Sequence, residues 1–456
     1  MEGTLLIDHV NTLLSGGAAV AARRLHQGLL QAEVGSRLWY SSRDVLPNEA
    51  ELATGEGMRA APWPLADASM AARANRIVHE CFRKLQLRLL RSYYRRGRKR
   101  RGGGFVGVRQ TIKTPFDPAI FDGDIVHFHW VGKLIDFPSF FESMPKERPL
   151  VWSLHDMNPM TGGCSHAGDC EGFARRCGDC PILARPGPSD LSNQELSIKH
   201  DALQGRRVFV IAPSHWMASM ARKSSLFAGC SVSVIRNPID TSGFYPEDKR
   251  LARKSLGLPE DGICLLYAAE SVEVNEKGIN EYLAVLRDIS KSRSVFGLAF
   301  GRGEIVSQVE NARIFSLGYL SLPSQMRMAY SAADIFVIPS HAETISQTTV
   351  EAFACGTPAV AFAVGGIPEL VRDGETGFLA SFRDVGKMSD RIGWLIDHPE
   401  RRLEMGETAL AVVRKEFESR HQISKYIDLY SEILEPAGTV APARAMEKIS
   451  FPSSRI

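Results

Sequence analysis

The sequence predicts an α/β protein of two tandem Rossmann-like, doubly wound parallel-sheet domains facing a cleft. Three observations predict it. The chain has 456 residues, more than one ordinary domain holds. Short, continuous apolar runs rich in β-branched residues recur along it, the pattern of strands buried on both faces. Segments with apolar residues at helical spacing separate those runs, the alternation of a parallel sheet covered by helices. Hydrophobic residues make up 44% and charged residues 23%, the balance of a globular protein with a sizeable core. That excludes disorder along the whole chain. No apolar run reaches the roughly 18 residues of a membrane span. The opening MEGTLLIDHVNTLLSGG lacks the basic start of a secretory signal, so a cytoplasmic protein is expected.

The first half places strands at TLLIDHV (4–10), RLWYSS (37–42), DIVHFHW (124–130), PLVWSLHD (149–156) and RVFVIAPS (207–214). Between the first two, Val20, Leu25, Leu29 and Leu30 recur at helical spacing, with Gly35 as the stop. Residues 41–104 read as a polar, Gly/Pro-punctuated and then basic insertion. The second half places strands at ICLLYAAE (263–270), VFGLAFG (295–301), ARIFSLGYL (312–320), DIFVIPS (334–340) and TPAVAFAV (357–364). Its clearest helices are INEYLAVLRDIS, SQMRMAYSAA and TTVEAFACG. The expected organisation is an N-terminal Rossmann-like domain, 1–236, carrying the basic insertion (about 41–116) and a Cys-rich loop (162–181). A second Rossmann-like domain (237–418), a helix returning toward the first domain (419–435) and a flexible tail (436–456) follow. The junction falls near VIRNPID, 234–240.

The net charge of +3 hides an asymmetry. Residues 81–116 contain 12 Lys or Arg and no Asp or Glu, whereas elsewhere 43 basic residues face 52 acidic ones. Leu85, Leu89 and Leu90 interleave with Arg88 and Arg91 as in a basic amphipathic helix. Two readings stand: a solvated surface insertion, or a patch that holds the protein against anionic lipid on the inner face of the plasma membrane. Nucleic acid is not an expected partner, because the rest of the chain would repel phosphate backbones.

The stretch 334–380 carries the most chemistry. Its strand ends at Pro339-Ser340, which puts His341, Glu343 and Thr344 in the loop at the carboxyl end of the strand, where open α/β sheets bind ligands. A helix then starts near Ser346, whose hydroxyl can cap it, and stops at Gly356. Its free N–H groups form a ready site for a phosphate or pyrophosphate. Glu343 on the loop and Glu351 one turn into the helix can address opposite ends of one ligand. For an isolated Glu pair, a surface charge and a helix-dipole partner would be the simpler account.

PSHAETISQTTVEAFACGTPAVAF followed by GGIPELVRDGETGFL resembles the signature of the retaining glycosyltransferases of family four, which have the two-domain GT-B fold. The resemblance runs from Ser15-Gly16-Gly17 to about Leu434. It implies that Glu343 faces a donor sugar and that Glu351 holds a nucleotide ribose. It implies that the backbone around Thr344, Ile345 and Ser346 approaches the sugar and diphosphate. Gly16 and Gly17 match the loop that closes over the donor diphosphate, and Gly lets backbone approach a ligand closely. Lys277 in NEKGINEYL matches the lysine that neutralises the diphosphate. The arginine usual just upstream is missing from AAESVEVNE, and Arg302 in FGRGE is the candidate substitute. His155 matches a histidine near the reacting sugar, and Tyr319 lies where the family holds the base. Catalytic roles are therefore expected for Glu343, His155 and Lys277. Lys277 and the helix N-terminus can neutralise a departing pyrophosphate without a metal ion, so no cofactor is expected for catalysis. Asp122-Gly-Asp124 precedes a strand and reads as a turn. His127 and His129 share one strand face, where they either bind a metal or line or underlie the cleft.

Cys164, Cys170, Cys177 and Cys180 fall within seventeen residues. The Gly-rich turns around Cys177-x2-Cys180 resemble a zinc knuckle, and thiolates suit a closed tetrahedral Zn²⁺ site. The first pair, Cys-x5-Cys, is wider than usual, and four reduced thiols are the alternative. Disulfides do not suit a cytosolic compartment. The pattern also resembles a subgroup of family-four enzymes that build bacterial surface polysaccharides. Cys81, Cys230, Cys264 and Cys355 read as single buried thiols. The resulting expectation is a glycosyltransferase moving a sugar from a nucleotide-diphosphate donor onto a glycan, lipid-linked in exopolysaccharide, capsule or lipopolysaccharide synthesis. The rivals are an epimerase or phosphorylase of the same fold, and a nucleotide-sugar or glycan binding module without transferase activity.

Overall fold

The computed structural model describes residues 5–41, 53–60, 105–107, 121–305 and 308–435. Apart from Phe105–Gly107, the basic segment 81–116 lies outside them, with Cys81 and the tail 436–456. The chain divides into two compact units. One comprises Met1–Pro213, Met217–Ile235 and Ile423–Ile456, the other Ser214–Trp216 and Arg236–Gln422.

The first unit holds a seven-stranded sheet: β1 (Leu6–Val10), β2 (Gly35–Tyr40), β3 (Met58–Ala60), β4 (Ile125–Phe128), β5 (Leu150–Ser153), β6 (Val208–Ala212) and β7 (Ser231–Val234). The order is β3-β2-β1-β4-β5-β6-β7, and every pairing is parallel. The chain runs outward from β1 to β3, then resumes at β4 on the other side of β1. That reversal makes the β1/β4 boundary a switch point, where strand ends diverge and leave a crevice. The continuous apolar runs of β4 and β5 are buried at every position. The last helix, Ser419–Leu434, puts Ile423, Tyr426, Tyr430 and Ile433 into the same core as Ile7, Leu25 and Val151.

The second unit holds β8 (Ile263–Ser271), β9 (Val295–Arg302), β10 (Ile314–Ser316), β11 (Ile335–Ile338), β12 (Ala359–Phe362) and β13 (Gly377–Ala380). Their order is β10-β9-β8-β11-β12-β13, again all parallel, with the switch point between β8 and β11. Apolar clusters cover both faces of this sheet. Asp248, Ser346 and Asp384 cap helices here by accepting backbone N–H groups that the first turn leaves unpaired.

The fold class is the one expected, two parallel α/β sheets, while several elements differ in detail. The first helix ends at Gln31, and Gly35 opens β2 instead of stopping the helix. Its buried face is Ala22, Leu25, His26 and Leu29, leaving Val20 and Leu30 only half-buried. The insertion contributes the edge strand β3. β7 and β13 were not expected, because SVSV alternates with serine and GFLA opens on glycine, so neither shows a continuous β-branched apolar run. Cys264 and Cys355 are buried as expected, but Cys230 is only half-buried.

Candidate functional site

In the second unit, both sides of the switch point carry chemistry. Chain leaving β8 makes a tight turn, Asn275–Lys277, followed by Gly278 at φ +79° and the helix Ile279–Ile289. A Cβ on Gly278 would overlap the carbonyl of Pro339 at the end of β11, so only glycine lets the two strand ends meet. Chain leaving β11 passes through His341, Glu343 and Thr344 to Ser346. The Ser346 side chain accepts from Thr349 N at 3.3 Å and caps the helix Gln347–Ala354. Lys277 Nζ donates to Glu343 Oε1 at 2.7 Å. His341 ties the two loops, through Nε2 to Glu281 Oε1 (2.8 Å) and through its N–H to the Glu276 carbonyl (2.8 Å). Behind the loop, Gly365 at φ +54° and Gly366 press against it, and Gly366 N donates to the Glu343 carbonyl at 3.0 Å. Among the described residues, the backbone N–H groups of Ile345 and Ser346 carry no intrachain partner. They are the free donors of a helix start.

Glu351 is 4% exposed and accepts from the Tyr330 hydroxyl at 3.0 Å. Arg302, at the end of β9, donates to Glu270 Oε1 at 3.0 Å and lays its guanidinium 3.8 Å over the Tyr319 ring. The structure thus groups Lys277 with Glu343 and the helix start, and Arg302 with Tyr319. It commits Arg302 to an acidic partner from β8, an engagement that the residue order did not show.

In the first unit, Gly16 follows β1 at φ +85° and starts the helix Gly17–Gln31. A Cβ on either Gly16 or Gly17 would meet none of the described residues within 4 Å. At the β1/β4 switch point the imidazoles run in series. His9 Nδ1 lies 3.0 Å from His129 Nε2, and His129 Nδ1 lies 2.9 Å from His155 Nε2. His127 stacks on His129 at 4.3 Å and bonds the Tyr430 hydroxyl (2.7 Å) and the Ser153 hydroxyl (2.8 Å). Burial, with the neighbouring imidazoles adding to it, pushes His9, His127 and His129 well below the usual imidazole range. Burial lowers His155 to about 4. All four are neutral at pH 7, and each imidazole–imidazole bond then needs one N–H and one lone pair. If His155 Nε2 accepts from His129, its Nδ1–H is left as a donor.

His9, Tyr330 and the Gly278 and Gly365-Gly366 contacts had no assigned role in the sequence. His9 gave no signal within its own segment, since only strand register places it beside His127 on the neighbouring strand. Asp122-Gly-Asp124 is a turn held by contacts, with Gly123 N donating to Asp8 Oδ2 (2.9 Å) and Leu6 N to Asp124 Oδ2 (2.9 Å). The four clustered cysteines line one pocket in the loop after His155.

Residues 248–412 match the family model described as "Glycosyl transferases group 1". The chain is 27% identical over 310 residues to D-inositol 3-phosphate glycosyltransferase 2 of Catenulispora acidiphila, covering 63% of this chain and 66% of that protein. It is 34% identical over 195 residues to D-inositol 3-phosphate glycosyltransferase of Mycobacterium leprae, covering 40% and 43%. The chain therefore spans less than two thirds of the length of either relative. Among solved structures, sucrose-phosphate synthase from Thermosynechococcus elongatus superposes with a TM-score of 0.65 at 16% identity, covering 94% of this chain and 99% of that one. Anabaena HepE in complex with UDP and glucose superposes with a TM-score of 0.64 at 16% identity, covering 94% and 100%. The fold is GT-B.

Proposed function

We propose that this chain is a glycosyltransferase that moves a sugar from a nucleotide-diphosphate donor to a glycan acceptor with retention of configuration. The observation that carries the reading is Lys277 Nζ at 2.7 Å from Glu343 Oε1, beside the free N–H groups of Ile345 and Ser346, inside the segment that matches the group 1 model. A lysine and a helix start offer positive charge to a departing diphosphate. A carboxylate beside them offers negative charge to a cation-like sugar, by analogy with glycosidases. Glu351 takes the ribose, and the Arg302–Tyr319 pair takes the base. Since HepE has been seen with UDP and glucose, a uridine donor is the first to try.

The acceptor we infer is lipid-linked, in the synthesis of a bacterial surface polysaccharide. The charge of 81–116 supports it, with 12 basic and no acidic residues. Among the described residues no helix is long and apolar enough to cross a membrane, which leaves surface contact as the mode to test. Arginine-to-glutamate replacement in that segment should release the protein from anionic vesicles, and unchanged partitioning would exclude lipid contact there.

The deciding experiment is thermal shift with UDP, GDP and ADP sugars on wild type and Glu351→Ala. Binding at 100 times Kd stabilises by about 2.7 kcal/mol. A shift with one nucleotide class, weakened in the variant, supports the reading, and NMR of the product anomer then reports retention. No shift with any donor in folded protein overturns the transferase in favour of a binding module.

A further inference from the structure

The loop between β5 and the helix Leu191–Leu203 runs for more than thirty residues. Its regular structure consists of two single turns, Asn158–Met160 and Gly172–Ala174. A loop of that length seldom holds one shape without its own core or a staple. The cluster around the cysteines is small, Phe105, Cys180 and Leu183 with Ile182 and Leu191 beside them, while Leu154, Met157, Met160 and Phe173 are the loop's other buried apolar side chains. Yet the loop is closely tied. Asn158 Nδ2 donates to the Val106 and Gly163 carbonyls at 2.9 and 3.0 Å, and Asp190 Oδ2 accepts from Cys180 N at 2.8 Å.

We propose that Cys164, Cys170, Cys177 and Cys180 hold a structural zinc ion that staples this loop. All four line one pocket closed by Phe105 and Phe173. None forms a disulfide. The backbone already donates to two of the sulfurs, as it does to metal-bound thiolates, with Gly162 N donating to Cys177 Sγ at 3.3 Å and Gly172 N to Cys170 Sγ at 3.4 Å. Between Cys177 and Cys180 the chain folds back with Cys177, Gly178 and Asp179 all at positive φ, 53°, 99° and 48°. That costly conformation leaves both residues of the pair lining the same pocket. Four thiolates around Zn²⁺ leave a net charge of −2, which a buried site must balance. Lys199 is fully buried, donates to the Asn158 and Thr161 carbonyls, and lies within electrostatic reach of Cys164 and Cys177.

A second candidate is His9, His127 and His129, the trio whose ligand atoms already lie within 4.8 Å of one another among the described residues. Five of its six ring nitrogens are occupied by hydrogen bonds, and only His9 Nε2 has no partner. Hydrogen bonding accounts for that trio. The sulfurs accept hydrogen bonds from Gly162, Gly172, Thr161 and Ser192 but are not gathered as closely as the imidazoles, so zinc binding has to draw them in to Zn–S distances of about 2.3 Å.

The test is elemental analysis of the full chain purified without a chelating column. One zinc per chain is expected, released by a mercurial thiol reagent, lost in the Cys177→Ser/Cys180→Ser double variant and retained in Cys230→Ser. Substoichiometric zinc in folded protein supplied with the metal would overturn the proposal. So would zinc that survives in the double variant but leaves in His9→Asn. If the cysteine variants do not fold, wild type loaded with Co²⁺ decides. Thiolate charge-transfer absorption supports the site, and bound cobalt without it refutes it.

Discussion

Lys277 Nζ lies 2.7 Å from Glu343 Oε1, although 66 residues separate them in the chain. They meet because β8 and β11 are neighbours in the sheet and each residue sits in the loop leaving its strand. A lysine held by a carboxylate is pre-positioned, and a diphosphate that arrives must compete for its ammonium. Lys277→Met should therefore lower kcat/KM by about 10²–10³, the scale of losing one charge-stabilising donor. Steady-state kinetics on both single variants and the double tests this. Coupling is expected, with the double variant losing less than the product of the two single losses.

Glu351 sits 4% exposed against the Tyr330 hydroxyl. On the proposed function, Glu351→Gln keeps its volume but removes the carboxylate offered to the ribose. Calorimetry should show nucleotide affinity falling by about 10-fold or more, in line with 1.5–3 kcal/mol for hydrogen bonds to charged groups. Unchanged affinity would remove Glu351 from the nucleotide site.

Gly365 stands at φ +54° with its α-carbon against the Glu343 carbonyl. Gly365→Ala should push the Glu343–Thr344 loop off its position. We expect a lower Tm together with lost donor binding, whereas Gly257→Ala, at φ +65° with open space around it, should lower Tm through backbone strain alone and keep donor binding.

The histidine series makes stability depend on pH. Its folded pKa values lie below the unfolded value near 6.5, with His155 at about 4. Between those values the unfolded chain binds more protons than the folded one, so unfolding free energy rises with pH. The contribution is complete above about pH 6.5 and is lost as pH falls toward 4. Each group adds at most about 1.4 kcal/mol per pH unit. Urea titrations from pH 7 to 4.5 should show this slope, and His127→Asn should flatten it by one proton's worth.

Asp334 joins Arg253 at 2.6 Å with both side chains under 6% exposed, while Lys249 and Cys264 N complete its shell. Burial opposes its ionisation, but Lys249, Arg253 and the Cys264 N–H outweigh that and hold it below the usual carboxylate range. Removing the carboxylate strands a buried guanidinium. Asp334→Ala should cost about 3–5 kcal/mol in denaturant unfolding.

By itself the sequence determined what is local. Continuous apolar runs and helical spacing specify parallel α/β layers because burial on both faces demands them. Ser346 can be recognised as a cap because capping needs only the next three residues. The edge strands β3, β7 and β13, with MRA, SVSV and GFLA, were beyond it, since pairing with an existing sheet stabilises them more than their own pattern does. Tertiary structure alone decided which chemistry meets. Strand order brings Lys277 to Glu343, and register brings His9 beside His127, so that His9, His129 and His155 form one chain. The second sheet also turns Arg302 to Glu270 and Tyr319. These are contacts between strand ends far apart in the chain. Parallel sheets gather such ends at one edge, and nothing within a single segment records which ends will be neighbours.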